Sequence, residues 1–566
     1  MKHSLVLYLV LSILCLQGCF LVEAGTGKKQ KKPNIIVILA DDVGTGDVPG
    51  MWWSNGERDD MPDMPNLQRL LADGTTFTDA HSTPVCTTSR YTFLSGNYAH
   101  RSPRMKAVST LNYAKGSFRR EHKTIAQVLK NAGYITAMTG KWHLGGKIPT
   151  VEGFVPPPDR AYPKYPDKKD TLSYIGHDWS KRLEGGPVDI GFDLSYFSPM
   201  SIHHPPHIFY YKDKILEKDL SNYTWWKRGL YDMHYGQSIA GPGEGAWDWD
   251  SSAYNMILFN STKKFTEHHL KKNADKPFFM YMALGAAHLP HTPPYKYIDG
   301  TPIAGEHESE HKDMLFEVDK VVGSVVQMLE EKEILEETIL VFASDNGGLN
   351  QTFSSGPLRE KKNSIYEGGH RIPMTIRWDG KIPKGGRRSK LVGLNDLFAT
   401  LCDLAGVDIP SGSAIDSISF ANYALDETKT EGLRETLGTW DYDKGGIGAQ
   451  SIRNGEMKLV HRVIEDKFEL YNLTDDILET KDIKDDNHEL AREMYQMLRE
   501  IAPCYDSTGF FDVYIRKKKT TIRRNCRWFA RREGSCDKFI EGPMNCRATC
   551  LPDDGYLCRN RPEGKI

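Results

Sequence analysis

Acidic side chains follow two separate apolar segments of this chain, where they could bind a metal ion. Asp41 and Asp42 come directly after one apolar run, and Asp345 and Asn346 come after another. Open α/β sheets place their sites at the carboxyl ends of strands, so we expect the two segments to converge. Carboxylate and amide oxygens favour Ca²⁺ or Mg²⁺ over zinc. One Asp-Asp pair after a strand is more often a turn, but two such segments together indicate a metal site.

A cysteine and an arginine four residues apart form a second group with chemical potential. The segment Cys86-Thr87-Thr88-Ser89-Arg90 resembles the element in which sulfatases convert cysteine to formylglycine, an aldehyde whose hydrate attacks sulfate esters. The family pattern is Cys-x-Pro-x-Arg, sometimes with alanine in place of proline, and this chain has Thr88 there. Threonine is small, like alanine, but lacks the fixed φ of proline. The resemblance implies that the formylglycine-generating enzyme of the secretory pathway converts Cys86.

Other segments resemble sulfatase motifs and follow the family's order, from residue 34 to about residue 482. They are Gly140-Lys141-Trp142-His143, Ala287-His288-Leu289-Pro290, Ser344-Asp345-Asn346-Gly347-Gly348, the lysine element at 357–362 with 366–373, and Leu470-Tyr471-Asn472-Leu473. Each motif is weak alone, but their shared order favours the sulfatase family.

The resemblance implies a role for each residue of the site. The implied catalytic residues are Cys86, Arg90, Lys141, His143, His288 and Lys362, and the implied metal ligands are Asp41, Asp42, Cys86, Asp345 and Asn346. One calcium ion per chain is expected, with Mg²⁺ as the alternative. The cations would stabilise the charge of the sulfate transition state, and the two histidines would transfer protons.

These residues also have structural interpretations. A single histidine such as His143 or His288 is more often a surface or satisfied core residue, and a buried cysteine is more often a small apolar filler. Lys361 is adjacent to Lys362, and counting back from Glu367 favours Lys362 as the family's lysine. Six segments in family order favour the catalytic interpretation.

Alternating apolar runs and helical patterns predict the fold class. The runs at 34–40, 278–284 and 338–343 are continuous, as in strands that are covered on both faces. Amphipathic helices are expected at 65–71, 124–132 and 312–335. We therefore predict an α/β fold, and the resemblance implies an alkaline-phosphatase-like sandwich with a largely parallel central sheet. A smaller antiparallel α+β subdomain and a disulfide-rich tail are expected to follow.

The domain organisation follows from composition and targeting signals. The expected segments are a signal peptide at 1–24, a basic linker at 25–33, a catalytic domain at 34–430 with an insertion at about 149–249, a C-terminal subdomain at 431–503, and a Cys-rich basic tail at 504–566. The short apolar run of residues 5–14 is typical of a cleaved secretory signal, with a signal anchor as the alternative. We expect the protein to be secreted, with the lysosome as an alternative location.

The tail contains six clustered cysteines, which in a secretory chain indicate a disulfide framework with 15 possible connectivities. They are Cys504, Cys526, Cys536, Cys546, Cys550 and Cys558, and part of this spacing distantly resembles an ShK-type domain. Arginines and lysines concentrated at 516–532 favour binding of polyanionic matrix glycans, although a solvated charged surface or a processing site is also possible.

The insertion carries aromatic and histidine clusters at 203–207, 225–226 and 247–249. They either stack on sugar rings or pack the long insertion, and the two interpretations are about equally favoured. A zinc site is disfavoured, because the Pro-Pro spacer separates the histidines and no fourth ligand is evident.

Composition excludes some functions and leaves three. The chain has 566 residues and a formal net charge of −2, which argues against general attraction to nucleic acid. The leading interpretation is a sulfatase that acts on a sulfated carbohydrate or an aryl sulfate. The alternatives are a phosphodiesterase or phosphonate hydrolase of the same superfamily, and a catalytically silent protein that binds matrix glycans.

Overall fold

The computed structural model describes most of the chain after residue 30. The described residues are 31–52, 61–102, 109–111, 116–119, 121–155, 177–202, 204, 206–216, 223–226, 243–246, 249–349, 354–443, 446–463, 465–502, 512–517 and 520–525. Those from residue 33 onward belong to one compact unit. The expected signal peptide and the six tail cysteines, with their ShK-like spacing, lie outside the described residues. Within the described ranges, no helix is both long and apolar enough to cross a membrane.

The described residues form helices and strands that alternate along the catalytic region. The α-helices are α1 (Pro65–Asp73), α2 (Cys86–Ser95), α3 (Ile125–Asn131), α4 (Tyr254–Lys272), α5 (Glu310–Glu331), α6 (Glu367–His370), α7 (Asp396–Leu404), α8 (Ala421–Leu425) and α9 (His488–Ile501). The strands are β1 (Asn34–Ala40), β2 (Thr75–Phe77), β3 (Ala80–His81), β4 (Ser109–Leu111), β5 (Ile135–Lys141), β6 (Leu144–Gly146), β7 (Leu194–Ser198), β8 (Tyr210–Tyr211), β9 (Lys214–Ile215), β10 (Tyr223–Trp226), β11 (Gly243–Ala246), β12 (Phe278–Ala283), β13 (Thr338–Ser344), β14 (Met374–Arg377), β15 (Gly386–Arg388), β16 (Val392–Gly393), β17 (Thr436–Asp443), β18 (Gly446–Asn454), β19 (Met457–Arg462), β20 (Lys467–Asn472), β21 (Asp512–Lys517) and β22 (Thr520–Asn525). Short 3₁₀ helices lie at Thr45–Asp47, Ala99–Arg101, Val188–Ile190 and Lys484–Asp486.

A ten-stranded mixed sheet forms the centre of the catalytic region, with the strand order β15-β2-β14-β13-β1-β12-β5-β7-β8-β9. The five central strands β13, β1, β12, β5 and β7 are parallel to one another. β14 is antiparallel to both β13 and β2, and β8 is antiparallel to β7. The prediction of an α/β fold with a largely parallel sheet is therefore confirmed.

Strand β1 explains why the predicted strands are apolar without alternation. Ile35, Val37 and Leu39 belong to the core on one face of the sheet, with residues of α2, α3 and α7. Ile36 and Ile38 belong to the core on the other face, with residues of α1, α4 and α5. Both faces are thus covered by helices, and each β1 side chain from Ile35 to Ala40 is buried whichever way it points.

The predicted helices form, with small changes at their ends. Helix α3 begins after Thr124, whose hydroxyl accepts a hydrogen bond from the Gln127 amide in a capping box. Helix α5 begins at Glu310, two residues before the expected start, because the Ser309 side chain accepts a hydrogen bond from the amide of Lys312.

A second, antiparallel sheet follows the central one, as expected for the smaller C-terminal subdomain. Its order is β17-β18-β19-β20, and α9 supplies buried residues such as Met494 and Leu498 to the same core. Val460 and Tyr471 of this sheet pack against Ile365 and Tyr366, which precede α6. The C-terminal sheet therefore supports a loop of the catalytic region.

Candidate active site

Two parallel strand ends bring the acidic residues together. In the register between β1 and β13, Ala40 is paired with Ser344, so Asp41 and Asp345 continue from neighbouring positions. The Asp42 amide donates a hydrogen bond of 3.2 Å to Asp345 Oδ1. The expected metal ligands Asp41, Asp42, Asp345 and Asn346 are all fully buried.

Cys86 faces these carboxylates from the first residue of α2. Ligand atoms of Asp41, Asp42, Cys86 and His288 all lie within 4.8 Å of one another. The cysteine is only 4% exposed, and burial raises the pKa of its thiol to about 12. An unmodified Cys86 is therefore protonated at neutral pH and is a poor nucleophile, since the thiolate is the reactive form.

Hydroxyl groups stabilise the beginning of α2, where Val85 offers no capping side chain. The Thr88 hydroxyl donates to the Val85 carbonyl at 2.9 Å and also contacts the Thr83 hydroxyl. The Ser89 hydroxyl accepts a hydrogen bond of 3.2 Å from the Thr83 amide. The departure from the family motif at Thr88 is thus a fully buried hydroxyl with partners in its own turn.

Three cations surround the acidic residues. Arg90 lies one helical turn after Cys86, and its Nη2 is 2.7 Å from Asp345 Oδ2. Lys141 ends β5, and its Nζ is 2.6 Å from Asp41 Oδ2. These four side chains have no exposed surface, so the ion pairs are shielded from water.

Lys362 reaches Asp42 from the loop before α6. Its Nζ lies 2.5 Å from Asp42 Oδ1 and 2.8 Å from Oδ2. Burial opposes the charge of this ammonium, but Asp42 raises its pKa above the ordinary value. The Lys362 amide donates to the Gly348 carbonyl at 2.9 Å, which fixes the loop beside Asn346. The sequence register that selected Lys362 over Lys361 thus selects the lysine that contacts Asp42.

The two expected catalytic histidines lie on different sides of the group. His143 follows β5, and its carbonyl accepts a hydrogen bond of 3.1 Å from the Thr87 hydroxyl of α2. Neither ring nitrogen of His143 has a hydrogen-bond partner among the described residues. His288 Nδ1 lies 2.5 Å from the Leu289 carbonyl, which leaves Nε2 3.7 Å from Asp42 Oδ2. Burial is the main reason that the pKa values of both histidines lie well below the ordinary range. The nearby ammonium group, of Lys141 for His143 and of Lys362 for His288, lowers them further.

The donor set fits a divalent cation. Asp41 Oδ1 and Asn346 Oδ1 are buried and accept no hydrogen bond from any described residue. Such oxygens are costly to bury unless a donor or a cation satisfies them. Because Asp41, Asp42 and Asp345 are matched by only three protein cations, a bound divalent ion would give the group a net positive charge. That charge suits an anionic substrate.

Two residues near the site were not placed there by the sequence. The Tyr281 hydroxyl lies 3.4 Å from Arg90 Nη1, but this tyrosine sits inside an apolar strand where it resembles a core residue. The His204 ring centroid lies 6.4 Å from that of His143. His204 belongs to a histidine cluster that the sequence showed, but no pattern placed it near the site.

The aromatic residues of the insertion have a mixed outcome. Trp249 is 7% exposed and packs against His207, Phe209 and Tyr254, which supports the packing interpretation for this residue. The side chains of the other expected platform tryptophans, at 225–226 and 247, lie outside the description.

A second buried charged group lies behind the Lys362 loop. Lys458 Nζ is 3.0 Å from Glu367 Oε1 and 2.8 Å from Glu479 Oε1. Glu479 Oε2 also accepts a hydrogen bond of 2.7 Å from the Glu367 amide. His81 and His370 face each other, with their Nδ1 atoms 3.0 Å apart. This network ties the C-terminal sheet to α6, and nothing in the local sequence pattern predicted it.

The described residues form an α/β fold with an acidic, cation-rich centre at the carboxyl edge of its sheet. The sequence model of the sulfatase family matches residues 33–407. The chain therefore belongs to the sulfatase family, within the alkaline phosphatase superfamily, and is a sulfuric ester hydrolase. The family model described as N-sulphoglucosamine sulphohydrolase, C-terminal, matches residues 360–503. This membership implies a metal and formylglycine at the site.

Similar proteins include named sulfatases, and solved structures share the fold. An N-acetylgalactosamine-6-O-sulfatase of Bacteroides thetaiotaomicron is 26% identical over 88% of this chain and 99% of its own. The human N-acetylgalactosamine-6-sulfatase is 26% identical over 70% of this chain and 66% of its own. A Bacteroides thetaiotaomicron structure from work on glycosaminoglycan metabolism has a TM-score of 0.67, with 24% identity over 83% of this chain and 99% of that one. A second structure, Ps i-CgsB with k-i-k-neocarrahexaose, has a TM-score of 0.58, with 25% identity over 83% of this chain and 92% of that one.

Proposed function

We propose that this protein hydrolyses sulfate esters of sulfated carbohydrates, with a formylglycine derived from Cys86 and one calcium ion. The observation that carries the proposal is the convergence of Cys86 with three buried carboxylates and three cations at one sheet edge. Relatives named as sulfatases of N-acetylgalactosamine 6-sulfate support a carbohydrate substrate. The structure that holds a neocarrahexaose supports the same class.

The calcium ion would be held by Asp41, Asp42, Asp345, Asn346 and the modified residue 86. Hard oxygen donors of this kind favour calcium, which accepts flexible geometry with six to eight ligands. A bound metal would supply Lewis-acid polarisation of the sulfate group, and a formylglycine at residue 86 would supply the hydroxyl nucleophile.

The protein's own cations position and neutralise the sulfate group. Arg90 and Lys141 are held in place because each is buried and paired with a carboxylate that follows a strand of the central sheet. Such preorganised charges stabilise a transition state without a further reorganisation cost. Lys362 lies on the other side, at Asp42, and is close enough to His288 to lower its pKa. The leaving oxygen would therefore meet an ammonium at the position where negative charge develops.

His143 would act as the proton acceptor at residue 86. Its pKa lies well below the ordinary range because of burial and Lys141, so the ring is neutral at working pH and can accept a proton. The His143 carbonyl accepts a hydrogen bond from the hydroxyl of Thr87, the neighbour of Cys86, which fixes the two segments relative to each other. His288 is neutral for the same reason, with Nδ1 directed to the Leu289 carbonyl. It would orient the leaving group together with Lys362.

Mass spectrometry of the peptide that contains Cys86 tests the proposal directly. Protein secreted from cells with the formylglycine-generating enzyme should show an aldehyde in place of the thiol at residue 86. The peptide of Cys402, a second buried free cysteine outside the site, provides an internal control and should keep its thiol. A fully alkylatable Cys86 would contradict the sulfatase mechanism and favour a silent glycan-binding protein.

Hydrolysis of an aryl sulfate and an aryl phosphate diester separates the enzymatic alternatives. We expect sulfate hydrolysis to dominate and to disappear in Cys86→Ala. Faster hydrolysis of the phosphate diester would favour the phosphodiesterase alternative, and sulfatase activity that survives Cys86→Ala would remove Cys86 from the mechanism.

We also propose that the chain enters the secretory pathway and is secreted, with the lysosome as the alternative, and that its basic tail binds polyanionic glycans. The support is the N-terminal apolar segment and the basic cluster at 516–532. Immunoblots of medium and lysosomal fractions test the route. Heparin affinity, compared with a chain that ends at residue 503, tests the tail.

A further inference from the structure

The segment that follows β7 runs along the catalytic edge of the sheet. β5 and β7 are parallel, and Lys141 is paired with Ser198 in their register. The amides of Trp142 and His143 donate to the carbonyls of Ser198 and Pro199, at 3.0 and 3.1 Å. This part of the insertion therefore lies directly beside the segment that follows β5 and contains His143.

His204 is the part of that turn that faces the site. Its amide donates to the Ser201 carbonyl at 3.0 Å, which closes the turn, and its ring lies 6.4 Å from that of His143. Burial, Lys141, His207 and Lys362 together lower the pKa of His204 to about 4. Two of the three catalytic cations thus lie within electrostatic range of this imidazole.

The exposure of His204 differs from that of its catalytic neighbours. His143, Lys141 and Arg90 are fully buried, whereas His204 is half-buried and keeps part of its surface in contact with solvent. A half-buried group beside a buried centre can contact the part of a substrate that extends out of that centre. The buried cations Arg90 and Lys141, together with Lys362, are sufficient to bind the sulfate group. The imidazole of His204 is therefore expected to contact the sugar that carries the sulfate.

We propose that His204 is a specificity-determining residue, whose neutral imidazole hydrogen-bonds a sugar hydroxyl next to the sulfate ester. This inference rests on the proposed function. A neutral imidazole carries one N–H donor and one acceptor nitrogen, so it can exchange a hydrogen bond with a hydroxyl group. A neutral donor suits a hydroxyl oxygen, and the same group gives an aryl sulfate no comparable partner.

The test compares two substrates on three variants. N-acetylgalactosamine 6-sulfate offers ring hydroxyls, and 4-methylumbelliferyl sulfate does not. We expect His204→Ala to lower kcat/KM for the sugar sulfate about 10-fold or more, mainly through KM, because a substrate hydroxyl loses its partner. The aryl sulfate should change less than about 2-fold, and His204→Gln, which keeps an N–H donor, should recover part of the loss. His268→Ala, an exposed histidine on α4, provides the matched control.

Other outcomes overturn the inference. Equal losses on both substrates would place His204 at the sulfate group, and no loss on either would exclude it from the substrate site. If the wild-type enzyme cleaves the aryl sulfate but no sulfated sugar, the carbohydrate part of the proposed function fails as well. The wild-type measurement alone identifies that case, before any variant is made.

Discussion

A buried glutamate outside the catalytic group should make the stability of this protein depend on pH. Glu317 lies on α5 and is 1% exposed. Its Oε2 accepts a hydrogen bond of 3.0 Å from Asn255, while Oε1 has no hydrogen-bond partner among the described residues. Burial raises the pKa of Glu317 to about 8. Asn255 also accepts a hydrogen bond from the Gly285 amide, so this pair supports the segment that leads to His288.

The size of the effect follows from the difference between the folded and unfolded states. The ordinary glutamate pKa is 4.5, and the folded value is about 8. The folded protein therefore keeps a proton that the unfolded chain releases. Stability from this group is fully present below pH 4.5 and is lost as the pH rises through about 8. From about pH 5 to about pH 8 the loss is about 3 kcal/mol, at about 1.4 kcal/mol per pH unit over most of the range.

The substitution Glu317→Gln removes this titration while it keeps the size of the side chain and an acceptor for Asn255. Urea unfolding followed by tryptophan fluorescence, at saturating calcium from pH 5 to pH 8, measures the free energy of unfolding. Relative to wild type, the variant should gain about 3 kcal/mol over this range. Glu331→Gln, at an exposed position of the same helix, should follow the wild type. Parallel loss of stability in wild type and Glu317→Gln would refute the reasoning.

Three further predictions concern the ion pairs and the metal. Lys458→Ala removes the cation between two buried carboxylates: Glu367 keeps its ion pair with Arg371, but Glu479 loses its ion-pair partner among the described residues. The free energy of unfolding should fall by about 3 kcal/mol or more, because a buried carboxylate is left uncompensated. In the same urea assay, Lys467→Ala should cost less than about 1 kcal/mol, because Lys467 is an exposed partner of Glu469. Lys362→Ala should lower kcat for an aryl sulfate about 100-fold or more, and Lys361→Ala should change it less than about 3-fold; equal effects would contradict the assigned register. Dialysis against a chelator should abolish aryl sulfate hydrolysis and lower the thermal midpoint, and calcium should restore both; full activity after chelation would exclude a metal requirement.

Much of the fold could be predicted because its signals are local. The continuous apolar run of β1 reflects side chains that enter the core on both faces of the sheet. The acidic residues that follow it mark the catalytic edge. The helix at 124–132 has its capping residue in the sequence, so its start was predictable to within one position. Ser309 caps the start of α5, which lies two residues before the position expected from the apolar pattern alone. These elements depend on residues that are close in the chain.

The rest depends on partners that are distant in the chain. Lys458 and Glu367 are 91 positions apart, and each looks like an ordinary surface charge in its own segment. Tyr281 lies in a strand where an aromatic residue is expected in the core, and only the crossing of α2 brings Arg90 to its hydroxyl. The position of His204 follows from the pairing of β7 with β5, which the irregular sequence of the insertion does not reveal.

The burial of Cys86 separates its maturation from its role in the folded enzyme. In the fold the thiol is 4% exposed, with a pKa raised to about 12, and the Thr88 hydroxyl is bonded inside the first turn of α2. A modifying enzyme that must contact both residues would not reach them there, so the proposed conversion of Cys86 would have to precede folding. Any effect of Thr88 on the conversion would therefore act in the unfolded chain, whereas its hydrogen bond to Val85 forms only in the folded protein. The residue that departs from the family motif can thus stabilise the folded site without being part of what the modifying enzyme requires.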